Sequence, residues 1–206
     1  MIMRLIELVI DEENELNGVD AVSIVGSPAT DENWIALKSE EPYKFELAQV
    51  SADKRLVMGV ILVPNKPIYR KNKNIGEHHI FFSDETVRKC MELFLKNNHQ
   101  SKTTLEHKEA LSGITLVESW IVEDLVHDKT ALYKLNAPLN SWAGTFKVEN
   151  EEIWQDYVKT GVVKGFSIEG FFAEKQQVKM SADELEEVEA EEKLNEIKKI
   201  IENGTA

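Results

Sequence analysis

The chain is short of cysteine, proline and positive charge. Its 206 residues hold one cysteine, five prolines, and 24 lysines and arginines against 37 aspartates and glutamates. A single cysteine, Cys90, excludes an internal disulfide and fits a reducing compartment. It sits in an apolar helical pattern with Val87, Met91, Leu93 and Phe94, the setting of a small buried hydrophobe rather than a nucleophile. The net charge of −13 argues against nucleic acid, because phosphate contacts require a basic surface. Anionic membranes are disfavoured for the same reason. No apolar run approaches the length of a membrane span. Leu5 to Ile10 is too short, and too soon interrupted by acids, for a signal peptide. HExxH, GxGxxG and GxxxxGK[ST] are all missing, so no metal, cofactor or nucleotide is expected.

What is present reads mainly as short strands. Residues 2–10, 21–25, 56–63, 79–82, 102–108, 114–123, 144–149 and 162–174 alternate or run apolar between turn signals. Ser83 is placed to cap a helix through about Leu95, with Asp84 and Glu85 in its first turn, where the helix dipole favours acids. Glu151 to Thr160 reads as a second helix, stopped by Gly161. This pattern predicts an α+β fold: a small, mostly antiparallel β-barrel, closed or half-closed, with flanking helices. After about Lys175 the composition turns acidic. Leu185, Val188, Leu194, Ile197 and Ile201 make a thin stripe at helical spacing among many glutamates. The expected division is therefore a domain over 1–175 and an acidic helical tail over 176–206.

The run Val163-Lys164-Gly165-Phe166-Ser167-Ile168-Glu169-Gly170-Phe171-Phe172 carries the chemistry. On a strand Ser167 shares a face with Gly165, Glu169 and Phe171, and Gly165 leaves room beside the hydroxyl. A serine nucleophile needs a base. His107, in the strand-like run Thr103-Thr104-Leu105-Glu106-His107-Lys108, is the candidate. A third group should orient the imidazole. Glu118 is the first choice, because strand alternation puts its carboxylate on an apolar face with Ile114, Leu116, Trp120 and Val122, where a lone charge is costly. Glu123, Asp124 and Glu169 are its rivals for that place. His78 and His79 are adjacent, so a strand would send their rings to opposite faces, and His99 and His127 lie in polar turns. Ser167 lacks the GxSxG pattern of the α/β-hydrolase nucleophile elbow.

At these residues the chain resembles the prohead (capsid-maturation) serine proteases of tailed phages, which share a fold with the herpesvirus assemblins. The resemblance runs in order through Gly18 to Ala29, Val63-Pro64-Asn65-Lys66-Pro67-Ile68, the helix Thr86 to Lys96, and Leu105-Glu106-His107-Lys108. It continues through Leu116-Val117-Glu118-Ser119-Trp120 and Trp142-Ala143-Gly144-Thr145-Phe146 to Gly165-Phe166-Ser167-Ile168-Glu169-Gly170. It implies an assemblin-like barrel, with Ser167 as nucleophile and His107 as general base. Assemblins use a second histidine after the serine, and no histidine follows Ser167 here. The resemblance also implies cleavage of scaffold and major capsid proteins, and of the enzyme itself, inside the assembling prohead in the bacterial host cytoplasm. Self-association into a homo-oligomer is a further implication. The competing reading is a non-catalytic capsid-assembly factor that docks on scaffold.

Overall fold

The structure, a computed structural model, describes residues 3–11, 17–26, 48–51, 54–72, 76–135 and 137–180. Twelve strands are present: β1 Met3–Val9, β2 Gly18–Val25, β3 Ala48–Ser51, β4 Leu56–Leu62, β5 Ile68–Asn72, β6 Gly76–Phe82, β7 Thr103–Leu105, β8 Glu109–Leu111, β9 Ile114–Ile121, β10 Trp142–Val148, β11 Gly165–Phe171 and β12 Ala173–Met180. Helix α1 covers Asp84–Lys96, α2 is the short turn Lys129–Leu132, and Ile153–Val158 forms a π-helical turn. The expected second helix is therefore shorter and wider than an α-helix, although Gly161 does follow it in the left-handed conformation (φ +70°).

The strands make three four-stranded sheets, ordered β12-β1-β6-β5, β3-β4-β10-β9 and β11-β2-β7-β8. Pairing is antiparallel apart from β1 with β6 and β2 with β7. Among the described residues these ladders do not close on themselves, so the barrel is not a closed one: three sheets pack around a shared core, with helix α1 against it, in an α+β arrangement. The acidic helix expected over 181–203 lies outside the described residues. Main-chain pairing runs past residue 175, because β12 lies along β1 as far as Met180 opposite Met3.

Among the described residues, the larger of two hydrophobic clusters joins the layers. Val22, Ile24, Leu105 and Phe166 enter it from the third sheet, and Val57, Ile61, Ile114, Leu116, Trp142 and Phe146 from the second. Phe82 comes from the first sheet, with Val87, Cys90 and Phe94 from α1. The run Leu56–Leu62 is apolar at every side-chain position because both faces of β4 are covered: Val57 and Ile61 enter the main core, and Val60 packs in a smaller cluster with Val122, Ala137 and Ala143. Trp142 and Phe94 meet edge to face at 5.4 Å, a favoured aromatic geometry. This core faces one side of the β11-β2-β7 ladder. The other side carries Ser167.

Candidate active site

Strand β11 pairs with β2 so that Ser167 lies opposite Ser23 and Glu169 opposite Ala21; β2 pairs with β7 so that Ser23 lies beside Thr104. Alternation then separates the strand's side chains by chemistry. Phe166 and Ile168 pack on the core, whereas Ser167 and Glu169 are half-buried on the opposite face. A row of hydroxyls thus crosses three strands: Ser167, Ser23 and Thr104. The carboxylate of Glu169 sits along that row and accepts a hydrogen bond from Thr104 Oγ1.

His107 is not on a strand, contrary to the sequence expectation. β7 ends at Leu105, and Leu105 pairs with Glu109 across a tight hairpin in which Lys108 N–H donates to Leu105 O at 3.0 Å. Both central residues are left-handed, Glu106 at φ +50° and His107 at φ +56°. The β-turn Leu105–Lys108 closed by that bond has both central residues left-handed, a turn that ordinarily selects Asn and Gly. A side chain at such φ costs about 1–2 kcal/mol per residue, so the turn persists only because neighbours hold it. Three hydrogen bonds do so. Glu106 N–H donates to Ile24 O at 3.1 Å, His107 N–H to Ser23 Oγ at 2.9 Å, and Gly26 N–H to Glu106 Oε1 at 2.6 Å.

The turn lifts the imidazole over the hydroxyl row. His107 Nδ1 lies 3.1 Å from Glu169 Oε1, and the two side chains are 43% and 33% exposed. The ring's other nitrogen, Nε2, makes no hydrogen bond among the described residues. Among the described residues no hydrogen bond joins Ser167 Oγ to the ring. In enzymes without substrate, catalytic hydrogen bonds are often long or poorly aligned and tighten in the complex.

Glu118 does not reach His107. It belongs to β9, in a different sheet, and its carboxylate is bonded to Lys129 Nζ. That bond, with a Thr145 hydroxyl opposite, holds the carboxyl below the usual carboxylate range. The alternation argument failed at a bulge. Thr145 pairs with Glu118 but Phe146 pairs with Leu116, so Val117 is an extra residue and the side chains after it change faces. Ile114 and Leu116 point into the core; beyond the bulge Ile121 does so, and Glu118 is exposed beside Val117. Glu123 and Asp124 are engaged elsewhere too. Glu123 pairs with Arg88 at 3.3 Å. Asp124 caps its own turn, accepting from Val126 N–H at 2.7 Å and His127 N–H at 3.0 Å. Those backbone donors, His127 first, pull its carboxyl down to about 2. Glu169 is the acid that meets the imidazole.

Cys90 is fully buried, and burial pushes its thiol up to about 12. A thiolate nucleophile is not available there. Sequence reasoning missed Ser23 and Thr104 as parts of the site. Ser23 offered a signal, being the one polar side chain in Ala21-Val22-Ser23-Ile24-Val25; its role depended on a register that only the fold supplies.

Comparison with known proteins bears on this geometry. The family described as "Putative phage serine protease XkdF" matches residues 44–177 of the 206-residue chain, a span that contains His107, Ser167 and Glu169. Neither a curated protein nor a solved structure matches the chain.

Proposed function

Since the chain belongs to this family of phage serine proteases, we propose that Ser167, His107 and Glu169 are its catalytic relay, acting on scaffold and capsid proteins of the assembling prohead. The observation that carries the assignment is the Glu169–His107 contact on the face that bears Ser167. Two residues along a strand are about 6.7 Å apart. An imidazole with a hydrogen bond at each end spans about 7–8 Å. Glu169 and Ser167 therefore have the spacing that one histidine can bridge, Nδ1 to the acid and Nε2 to the hydroxyl.

In this reading His107 Nε2 takes the Ser167 proton as Oγ attacks the peptide carbonyl. Glu169 fixes the Nδ1–H tautomer and offsets the imidazolium charge. The protonated ring then gives its proton to the leaving amine. Water, deprotonated by the same nitrogen, hydrolyses the ester and restores the serine. Thr104 Oγ1 donates to the same carboxylate oxygen, Glu169 Oε1, so the acid is held in place before the imidazole charges.

Substrate size follows from exposure. The imidazole and the carboxylate are both reached by solvent, as suits a folded or extended polypeptide rather than a small molecule enclosed in a pocket. The acidic tail is proposed as one of the enzyme's own cleavage targets. Intact-mass analysis with a fluorophosphonate tests the relay. One adduct on the wild type, mapped to Ser167 and lost in Ser167→Ala and His107→Ala, is the expected result. Incubation with scaffold and major capsid protein tests the substrates, with cleavage lost in Ser167→Ala. A folded wild type that takes no label, with or without those proteins, overturns the catalytic reading and favours a non-catalytic assembly factor.

A further inference from the structure

We propose that Ser23 and Glu106 are positioning residues that clamp the histidine turn and so set where the His107 ring stands. The inference rests on the Ser167–His107 reading above and extends it to two side chains that touch neither substrate nor the reacting atoms.

Ser23 is 0% exposed on a strand whose neighbours Ala21, Val22, Ile24 and Val25 are all buried and apolar. A hydroxyl so placed must satisfy both its donor and its acceptor capacity. It does so with the catalytic hairpin alone. Ser23 Oγ donates to Thr104 O at 3.4 Å and accepts from His107 N–H at 2.9 Å. It is also the residue opposite Ser167, so one side chain refers the base's main chain to the nucleophile's strand.

Glu106 acts from the other side. Its carboxylate reaches over the end of β2 to the Gly26 N–H at 2.6 Å. Gly26 leaves that end of the strand open, because a Cβ there would stand 2.8 Å from Val162 O and 3.4 Å from Glu106 Oε1. Between them the two contacts fix consecutive left-handed residues that carry side chains. Without the clamp the turn gains by relaxing toward negative φ, which would swing the imidazole away from Glu169 and Ser167. Misplacement of about 1 Å is enough to slow a reaction roughly 100-fold.

The test compares Ser23→Ala, Ser23→Thr and Glu106→Gly by rate of fluorophosphonate labelling, peptide cleavage, and the imidazole proton shifts of His107 by NMR. Ser23→Ala should label roughly 10- to 100-fold more slowly, with kcat falling and KM for a peptide unchanged. Ser23→Thr, which keeps the hydroxyl, should recover most of the rate. Glu106→Gly separates positioning from folding, since glycine accepts positive φ without strain. It should fold at least as well as the wild type and still label slowly. Wild-type rates and unchanged His107 shifts in Ser23→Ala and Glu106→Gly would overturn the clamp. Should Ser23→Ala fail to fold, Glu106→Gly alone decides. Should the wild type itself take no label, the catalytic reading fails and the clamp is judged on the His107 shifts: altered shifts support it, unaltered shifts overturn it.

Discussion

Replacing Glu169 with glutamine removes one negative charge and leaves the shape of the site in place. The carboxylate oxygen is 3.1 Å from His107 Nδ1. At that distance an imidazolium and a carboxylate attract by about 1.3 kcal/mol in bulk water and about 5 kcal/mol at an effective dielectric of 20. With the two side chains 43% and 33% exposed, an intermediate value of about 1.5–3 kcal/mol is appropriate. In the proposed relay the imidazolium forms as Ser167 is deprotonated, so this stabilisation would belong to the transition state and appear in the rate. Glu169→Gln should therefore slow fluorophosphonate labelling of Ser167 by roughly 10- to 100-fold, with the folded state intact by circular dichroism. Glu118→Gln is the matched control. Its carboxylate serves an exposed pair with Lys129, worth at most about 1 kcal/mol of stability, and labelling should not change. Slowing in Glu118→Gln with a wild-type rate in Glu169→Gln would refute the assignment of the acid.

Two further predictions concern the frame around the site. Gly170→Ala should lose about 3 kcal/mol or more, because the new Cβ would stand 2.1 Å from Gly18 O, a main-chain atom that cannot move aside. A lower urea midpoint checks this, and wild-type stability would contradict it. Asp124→Ala should destabilise the protein near neutrality and progressively less in acid. The Asp124 carboxyl lies at about 2 in the folded protein, below its ordinary value, so its contribution is complete above the unfolded value near 3.9 and fades as pH falls toward 2. The difference in Tm between wild type and variant should shrink over that window; a constant difference down to pH 2 would count against the capping role.

Much of the fold was legible because the strands are bounded by turn residues and the helix by acids. The extents of β4 and α1 follow from Leu56 to Val63 ending at Pro64 and from Ser83-Asp84-Glu85. β5, Ile68–Asn72, was not legible. Its sequence Ile-Tyr-Arg-Lys-Asn is an edge strand in a four-strand sheet, and an edge strand has no need of an apolar run. The turn at Glu106-His107 was hidden for a different reason. Nothing in Leu105-Glu106-His107-Lys108 carries the Asn-Gly signature of a turn with two left-handed central residues. The left-handed pair is held by Ser23 and Gly26, some 80 residues earlier, and tertiary contacts of that range leave no local mark.

The choice of acid shows why strand alternation works only between irregularities. The same rule put Glu118 on an apolar face and Glu169 on the face of Ser167. It failed for the first because Val117 is inserted between Leu116 and Glu118 in the pairing with β10. It held for the second because β11 pairs residue for residue with β2 from Gly165 to Glu169, and the register shifts only after Glu169. The regular stretch thus ends at the last residue the proposed relay requires. Ser167 and Glu169 have an unbroken ladder beneath them, one pleat apart, and His107 reaches Glu169 from a turn rather than from a third strand. A strand histidine would stand roughly perpendicular to its own sheet, pointing alongside the hydroxyl row. A hairpin turn at the end of β7 can instead lay the ring across the row, where it meets Glu169 and, in the proposed relay, Ser167.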